Sequence, residues 1–146
     1  MSRVEQLTSY SEKGRSGELL EEATLINDLG MLGDFHAVGG ERQLTLISSI
    51  AKEWMNLSET KGLCFSKFHE NMVIKELSFE ALQDNARLKI GEAMLEISQV
   101  RKKCYPELCK LARNGAECLL MKEVRFAKVI NGGKIVVGME VFVVGN

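Results

Sequence analysis

The stretch GDFHAVGGERQLTL, at residues 33–46, concentrates side chains that can carry chemistry. It holds an aspartate, one of the chain's two histidines and three glycines, followed by Glu-Arg-Gln before an apolar alternation. Glycines let a backbone approach an anion closely, and the guanidinium of Arg42 can grip a phosphate or carboxylate through two parallel hydrogen bonds. A glycine-rich loop with one arginine is by itself a weak signal. Arg42 could instead brace the loop through a salt bridge with Asp34 or Glu41.

A second group of reactive residues lies in SQVRKKCYPELCK, where Arg101, Lys102 and Lys103 directly precede Cys104. Three neighbouring cations stabilise a thiolate. The thiol of Cys104 is therefore expected to be more acidic than that of a free cysteine, and a better nucleophile or soft-metal ligand. The alternative is a cysteine in a solvated basic turn, which the local sequence leaves equally open.

The other three cysteines lie in apolar contexts that are typical of buried, unreactive thiols. They are Cys64, Cys109 and Cys118, of which Cys109 could also act as a resolving partner. The four cysteines form no paired C-x-x-C motif, which argues against a zinc ribbon. Free thiols, metal ligation or a catalytic thiolate are favoured over disulfides.

Polar side chains also precede two apolar runs that predict strands. His69, Glu70 and Asn71 do so in SKFHENMVI, and Arg125 leads into the run of KEVRFAKV. The spacing of His36 and His69 does not by itself make a metal site. His69 fits better as a surface histidine or as one satisfied within a loop.

Charge and hydropathy exclude several classes of protein. The 19 basic and 20 acidic residues give a formal net charge of -1, so no global field favours nucleic acid or an anionic membrane. No apolar run approaches the roughly 20 residues of a membrane-spanning helix. The polar N-terminal segment lacks the apolar stretch of a signal peptide, which predicts a cytoplasmic protein. A length of 146 residues predicts one domain over residues 1–146.

Apolar periodicity predicts the elements that position these groups. Leu44 and Leu46 alternate with Thr45 in RQLTLI, which predicts a strand. The following SSIAKEWMNL changes to a helical period, with Ser48 or Ser49 as N-cap. The apolar face of this predicted helix comprises Ile50, Trp54 and Leu57.

A short packed helix is also favoured in GELLEEATLIND, where apolar residues lie at approximately helical spacing. These residues are Leu19, Leu20, Ala23 and Ile26.

The later half of the sequence predicts strands joined by glycine turns. RLKIGEAMLEISQV predicts two extended arms about Gly91-Glu92, with Ala93, Leu95 and Ile97 on one face. VRFAKVI-NGG-KIVVGMEVFVV predicts a second such pair, reversing at residues 131–133. Short strands, glycine turns and one or two helices predict a mainly β fold, a closed or partly closed β-barrel.

Four ordered segments resemble the MOSC domain, named for the C-terminal domain of molybdenum-cofactor sulfurases. The first, GMLGDFHAVGGERQLTLIS, is similar to the family's glycine-rich signature. GLCFSKFHENMVI is similar to its G-x-F-x-E-N element, and RLKIGEAMLEISQVRKKC to the strand pair that leads to its hallmark cysteine. VRFAKVINGGKIVVGMEV resembles its closing segment. Together they cover residues 29–144 in order, which makes chance similarity an unsatisfactory explanation.

The resemblance implies a strongly bent β-barrel with a few short helices, whose loops gather at one cleft to bind molybdenum cofactor (molybdopterin). The hallmark cysteine falls on Cys104, which is thereby implied as the metal ligand and the catalytic thiolate. The residues expected to bind the cofactor are Asp34, His36, Arg42, Gln43, Glu70, Asn71, Arg101 and Lys102.

Three positions depart from the family pattern. Val38 stands in place of a glycine, Met139 in place of an aspartate, and Lys103 where many members have proline. The sequence also lacks the pyridoxal-phosphate lysine domain of the sulfurases and the extra N-terminal barrel of the amidoxime-reducing enzymes. A sulfurase activity of its own is therefore not expected, and pyridoxal phosphate binding is only a family-level label.

The resemblance implies two principal functions. One is a carrier that receives, holds or transfers the cofactor or its sulfur through Cys104, working with cofactor-biosynthesis proteins or a molybdoenzyme acceptor. The other is a molybdenum-dependent reductase of N-hydroxylated compounds. It would need a separate electron-donor protein, because the sequence resembles no haem, flavin or iron–sulfur motif. The carrier needs only affinity and release and is favoured. A regulatory domain that keeps the fold without the cofactor is a third possibility.

Overall fold

The computed structural model describes residues 1–12, 16–57, 68–100 and 119–145. Within these ranges, strands make up most of the regular structure. In chain order they are β1 (Arg3–Ser9), β2 (Glu18–Leu20), β3 (Glu22–Ile26), β4 (Gly30–Met31), β5 (Leu44–Ser48), β6 (Met72–Lys75), β7 (Arg87–Ile90), β8 (Ala93–Ile97), β9 (Val124–Asn131), β10 (Gly133–Val136) and β11 (Val141–Gly145). Helix α1 spans Ser49–Leu57, the short helix α2 spans Leu120–Glu123, and a 3-10 turn spans Phe79–Ala81.

The larger of two sheets has the strand order β11-β7-β8-β9-β5-β6-β1-β2, and the smaller has the order β10-β3-β4. The large sheet curls until β1 meets the segment before β11. Val4 donates its amide proton to the carbonyl of Met139 (2.9 Å) and accepts one from Gly138 (2.8 Å). The result is a strongly curled half-barrel, which confirms the predicted mainly β, strongly bent fold.

Strand β5 lies in the middle of this sheet and is buried along its whole length. Leu44 and Leu46 belong to the main core inside the curl, whereas Ile47 packs against α1 in a second cluster. Both faces of β5 are therefore covered by protein. The predicted strand is confirmed, and the loop that precedes it joins a rigid element.

Helix α1 begins where its cap was predicted, because the Ser48 hydroxyl accepts a hydrogen bond from the amide of Ala51 (3.2 Å). Its predicted apolar face is right for Trp54, which packs against the second cluster, and wrong for Ile50 and Leu57, which are 68% and 73% exposed. Ala51 and Met55 are the buried residues of the helix. The helix packs against the outer surface of β5 and β6, and the small side chain of Ala51 lies at this contact. This packing determines which side of the helix is buried.

The helix predicted around residues 19–26 is also wrong, because this segment forms β2 and β3. Ala23 and Leu25 are buried and alternate with exposed Glu22 and Thr24, so the side-chain period is two. Leu19, which completed the helical pattern, is 70% exposed. Pairing of β3 with β10 and β4 determines the conformation of this segment.

One predicted hairpin is confirmed and the other is not. β7 and β8 pair about Gly91, with Ile90 opposite Ala93, and Gly91 adopts a φ of 58°. The residues 131–133 instead form a corner between the two sheets: β9 pairs with β5 and β8, and β10 pairs with β3. A β-carbon at Gly132 would lie 2.2 Å from the carbonyl oxygen of Leu25, so the crossing requires glycine.

Met139 and Val38 are the two departures from the family pattern that fall among the described residues, and the fold accommodates both. The amide of Val136 donates to the sulfur of Met139 (3.4 Å), and Met139 packs against the main core. Val38 is 80% exposed, and the left-handed conformations near it are adopted by Gly39 (φ 82°) and Gly40 (φ 80°). No described helix is long and apolar enough to cross a membrane.

Asn71 joins three strands at the start of β6. Its side-chain oxygen accepts from the amide of Thr45 (3.0 Å), and its side-chain nitrogen donates to the carbonyl of Thr8 (3.2 Å). Its own amide donates to the Thr45 carbonyl (2.8 Å), and its carbonyl accepts from the Thr8 amide (2.9 Å). Asn71 is 0% exposed, so these bonds hold β1 and β5 on either side of β6.

Replacing Asn71 by alanine should lower the free energy of unfolding by about 2–4 kcal/mol, because two buried backbone groups lose their partners. Urea unfolding of Asn71→Ala measures this loss. Asn131→Ala, at the exposed end of β9, is the control and should change stability by less than about 0.5 kcal/mol. Equal stability of the two variants would contradict the bridging role of Asn71.

Candidate functional site

The loop between β4 and β5 is held to the end of β1 by the carboxylate of Asp34, whose side chain is 0% exposed. One oxygen accepts the amide proton of Tyr10 (2.8 Å). The other accepts from the amide of His36 (3.0 Å) and pairs with its ring nitrogen Nδ1 (2.7 Å). The amide of Phe35 also donates to the carbonyl of Tyr10 (2.8 Å). Asp34 therefore fixes both the path of the loop and the orientation of the His36 ring.

The environment of Asp34 keeps it ionised. Burial acts to raise its pKa, but hydrogen bonds from the His36 ring and from the amides of Tyr10 and His36 outweigh burial and lower it. The bond to Nδ1 leaves Nε2 of His36 directed elsewhere, and the His36 side chain is 22% exposed. This pair can orient an imidazole for hydrogen bonding or proton transfer.

Aromatic rings surround the pair and bring in the second histidine. His36 packs against Phe35, with 3.9 Å between ring centroids. His69 stacks on Tyr10 at 4.4 Å and lies edge-on to Phe35 at 6.0 Å. The sequence singled out His36 but not Tyr10 or Phe35, because no motif joins an aromatic residue at the end of β1 to a loop more than twenty residues later.

Charges near this cluster come from Glu70 and Lys52. The Glu70 side chain is 4% exposed and accepts a hydrogen bond from the Lys52 ammonium (2.5 Å), which extends from α1. Burial raises the pKa of the Tyr10 hydroxyl, and the carboxylates of Glu70 and Asp34 raise it further. Tyr10 is therefore neutral at physiological pH. Lys52 is a component of the site that the sequence did not single out.

Gln43 shapes the glycine part of the loop. Its side-chain nitrogen donates to the carbonyl of Gly40 (2.9 Å), and its side-chain oxygen accepts the amide proton of Val129 in β9 (2.8 Å). Gln43 is 3% exposed, so both ends of its amide are used within the fold. Among the residues that the structure describes, no atom would lie within 4 Å of a β-carbon at Gly40.

Arg42 projects from this part of the loop onto an aromatic ring. Its guanidinium carbon lies 4.7 Å from the ring centroid of Phe126 in β9, a cation–π contact that restricts the side chain. The amides of Gly40, Glu41 and Arg42 donate no hydrogen bond to any residue that the structure describes. Consecutive amides of this kind, beside a restrained guanidinium, can receive an anion.

The acidic residues near Arg42 are engaged elsewhere, which argues against the salt bridge considered from the sequence. Asp34 pairs with His36. Glu41 accepts a hydrogen bond from the hydroxyl of Ser98 (2.6 Å) and lies 3.7 Å from the ammonium of Lys128. Because Ser98 follows β8, Glu41 connects the glycine loop to the start of the segment that leads to Cys104.

The structure thus brings together Asp34, His36, Arg42 and Gln43 in one loop, with Glu70 and Asn71 beside the end of β1. Arg101, Lys102 and Cys104 lie outside the described residues. The described residues contain no group of three or more His, Cys, Asp or Glu side chains that could hold a metal ion. Arg125 has a structural role, because its guanidinium donates to backbone carbonyls including those of Leu82 (3.0 Å) and Phe79 (2.8 Å).

Asp34→Asn should lower the free energy of unfolding by about 2 kcal/mol at pH 7, the range for hydrogen bonds to a charged group. The native carboxylate has a lowered pKa, so it adds stability that is complete above the ordinary aspartate pKa of about 4. That stability is lost as the pH falls through the lowered folded-state value. Urea midpoints of both proteins between pH 7 and pH 3 should therefore converge at low pH.

Asp28→Asn provides a matched control, because Asp28 is exposed and its φ of 57° suits asparagine. It should leave stability within about 0.5 kcal/mol of the wild type at each pH. A difference between Asp34→Asn and the wild type that stays constant from pH 7 to pH 3 would show that the charge of Asp34 is not the stabilising feature.

Comparisons with known proteins agree with this architecture. The family model of the MOSC domain matches residues 33–142. No curated protein sequence matches the chain. The fold is similar to that of the YuaD protein from Bacillus subtilis, with a TM-score of 0.70 and 16% identity over 97% of this chain and 94% of the other.

Two further solved structures share the fold. YiiM from Escherichia coli has a TM-score of 0.61 and 22% identity, over 99% of this chain and 70% of that one. YiiM from Geobacillus stearothermophilus has a TM-score of 0.64 and 15% identity, over 99% and 75%. The family model covers most of the sequence, and the chain therefore belongs to the MOSC domain family, which is associated with the molybdenum cofactor.

Proposed function

We propose that this protein is a molybdenum-cofactor carrier that receives, holds or transfers the cofactor or its sulfur. The observation that carries the proposal is the arrangement at residues 40–42, where three amides without described partners adjoin the guanidinium of Arg42 on the ring of Phe126. Family membership supplies the identity of the ligand. A cytoplasmic location and a cofactor-biosynthesis protein or molybdoenzyme acceptor as partner belong to the same proposal.

The described residues fit the phosphate end of the cofactor. A phosphate group needs several converging donors and positive charge, and the loop offers backbone amides together with a guanidinium fork. Gly40 carries no side chain, and no atom of the described residues lies within 4 Å of where its β-carbon would be, so the described part of the chain leaves room for an anion there. When bound, the cofactor would supply a molybdenum centre, and we propose Cys104 as the thiolate that addresses it.

The other residues are assigned to positioning or to charge. Asp34 and Gln43 are used within the fold and hold the loop, while Glu70 holds Lys52 beside it. Asn71 has both ends of its amide engaged with β1 and β5, so we assign it to the frame of the site. His36 remains a proposed cofactor contact through Nε2. Arg101 and Lys102 are proposed to add positive charge near Cys104.

A reductase of N-hydroxylated compounds is the second candidate, and the Asp34–His36 pair is the observation that favours it. Reduction of such a compound to an amine and water consumes two electrons and two protons, so the site must supply protons. An imidazole oriented by a buried carboxylate suits that task. The electrons would come from a separate redox protein. Turnover of an N-hydroxylated compound by the loaded protein with a chemical reductant would favour this function over the carrier.

Arg42→Ala should weaken retention of the pterin by about ten- to a hundredfold, because a hydrogen bond from a charged group contributes about 1.5–3 kcal/mol. Arg42→Lys keeps the charge but loses the fork and should give a smaller loss. Cys104→Ser should retain much of the pterin while the molybdenum coordination changes. Pterin content and X-ray absorption of protein purified from a cofactor-producing host measure these effects.

Lys89→Ala, an exposed cation on β7, is the matched control and should retain pterin like the wild type. Melting curves of the same preparations separate binding from folding. If Arg42→Ala melts at a lower temperature yet retains pterin, Arg42 is only a brace for the loop. Equal loss of pterin in Arg42→Ala and Cys104→Ser would contradict the division of roles between the two residues.

A further inference from the structure

The two histidines of the chain come from distant segments and meet across one phenylalanine. His36 lies against the ring of Phe35, and His69 meets the same ring edge-on while it stacks on Tyr10. His69 precedes β6 and was expected to be a surface or satisfied loop residue. Its ring contacts place this loop residue in the same aromatic cluster as the histidine of the glycine-rich loop.

Among the described residues, the two carboxylates nearest the imidazoles each have an ionic partner. The Asp34 carboxylate bonds to His36, and the Glu70 carboxylate pairs with Lys52 from α1. Tyr10, at the end of β1, is neutral. When His36 carries a proton, each carboxylate has a cationic partner. A second proton on His69 is then opposed by the positive charge on His36.

The electrostatics of His69 agree with this geometry. Burial lowers the pKa of its imidazole, and the charge of His36 lowers it further, whereas Glu70 and Asp34 act in the opposite direction. His69 is therefore neutral at physiological pH. Additional negative charge near the cluster would favour its protonation.

We propose that His36 and His69 form one electrostatically coupled pair, in which His69 takes up a proton from solvent when the phosphate group of a ligand binds at residues 40–42. The inference rests on the proposed function, because the ligand is the phosphate end of the cofactor. Phosphate binding brings negative charge to the loop that carries His36, and this charge offsets the positive charge that opposes protonation of His69. The protein should then retain the ligand more strongly as the pH falls and less strongly as the pH rises.

Imidazole NMR of the full-length protein without cofactor tests the pair directly, because the chain has only two histidines to assign. Removing the charge in His36→Gln should raise the titration midpoint of His69 by about half a pH unit or more. His36→Phe keeps a ring against Phe35 and should give the same shift if His36→Gln folds poorly. Lys89→Gln, on β7, should leave the midpoint unchanged. An unchanged His69 midpoint in both His36 variants would overturn the pair.

Binding of inorganic pyrophosphate tests the coupling to the ligand. A half-unit shift corresponds to roughly threefold tighter binding at low pH. Between pH 8 and pH 5, which lies well below the ordinary histidine pKa, the wild type should therefore gain up to about threefold more affinity than His69→Gln. The titration of pyrophosphate itself is the same for both proteins and cancels in this comparison. If Arg42→Ala fails to bind pyrophosphate, the phosphate site stands. If the wild type and His69→Gln then show the same pH dependence of binding, only the coupling to His69 is overturned. Failure of the wild type to bind pyrophosphate would overturn the proposed phosphate site together with the coupling.

Discussion

The hydrogen bonds accepted by the buried carboxylate of Asp34 are the interaction on which the site depends. An ionised carboxylate without solvent is costly unless donors surround it, and here two backbone amides and an imidazole do so. One donor, the amide of Tyr10, lies at the end of β1, and the other two belong to His36 in the loop itself. The same three bonds that stabilise the charge therefore determine where the loop begins and how His36 is oriented.

The curled sheet explains why segments distant in sequence meet at this loop. Strands β1, β6 and β5 are neighbours, so Tyr10 after β1, residues 69–71 before β6 and the loop before β5 are close in space. Asn71 joins the backbones of β1 and β5 where β6 begins. On the other side, β9 supplies the Phe126 ring beneath Arg42 and the Val129 amide for Gln43. The loop is thus clamped from both sides by the sheet.

Local patterns in the sequence predicted the elements whose determinants are local. The strand at Leu44–Ser48, the serine cap of α1 and the turn at Gly91 follow from alternation, capping and glycine conformation. The prediction for segment 18–26 was wrong because its conformation depends on pairing with β10, which the local spacing of apolar residues does not reveal. The prediction for residues 131–133 was wrong because glycine is needed there for close approach to Leu25 in the other sheet. The sequence placed Asp34 and His36 in one candidate loop because they are two residues apart. Tyr10, Phe126 and His69 reach the site only through tertiary contacts, which local patterns do not predict. The roles of Arg101, Lys102 and Cys104 stay predictions.

Buried polar residues hold a loop in which one restrained arginine adjoins three amides that have no partner among the described residues. The central proposal is that this loop binds an anionic part of the molybdenum cofactor. The most direct measurement is the molybdenum and pterin content of the protein purified from a cofactor-producing host, beside the same protein from a host that makes none. We predict about one molybdenum and one pterin per chain in the first preparation only. Molybdenum no higher than in the cofactor-free preparation would contradict the account.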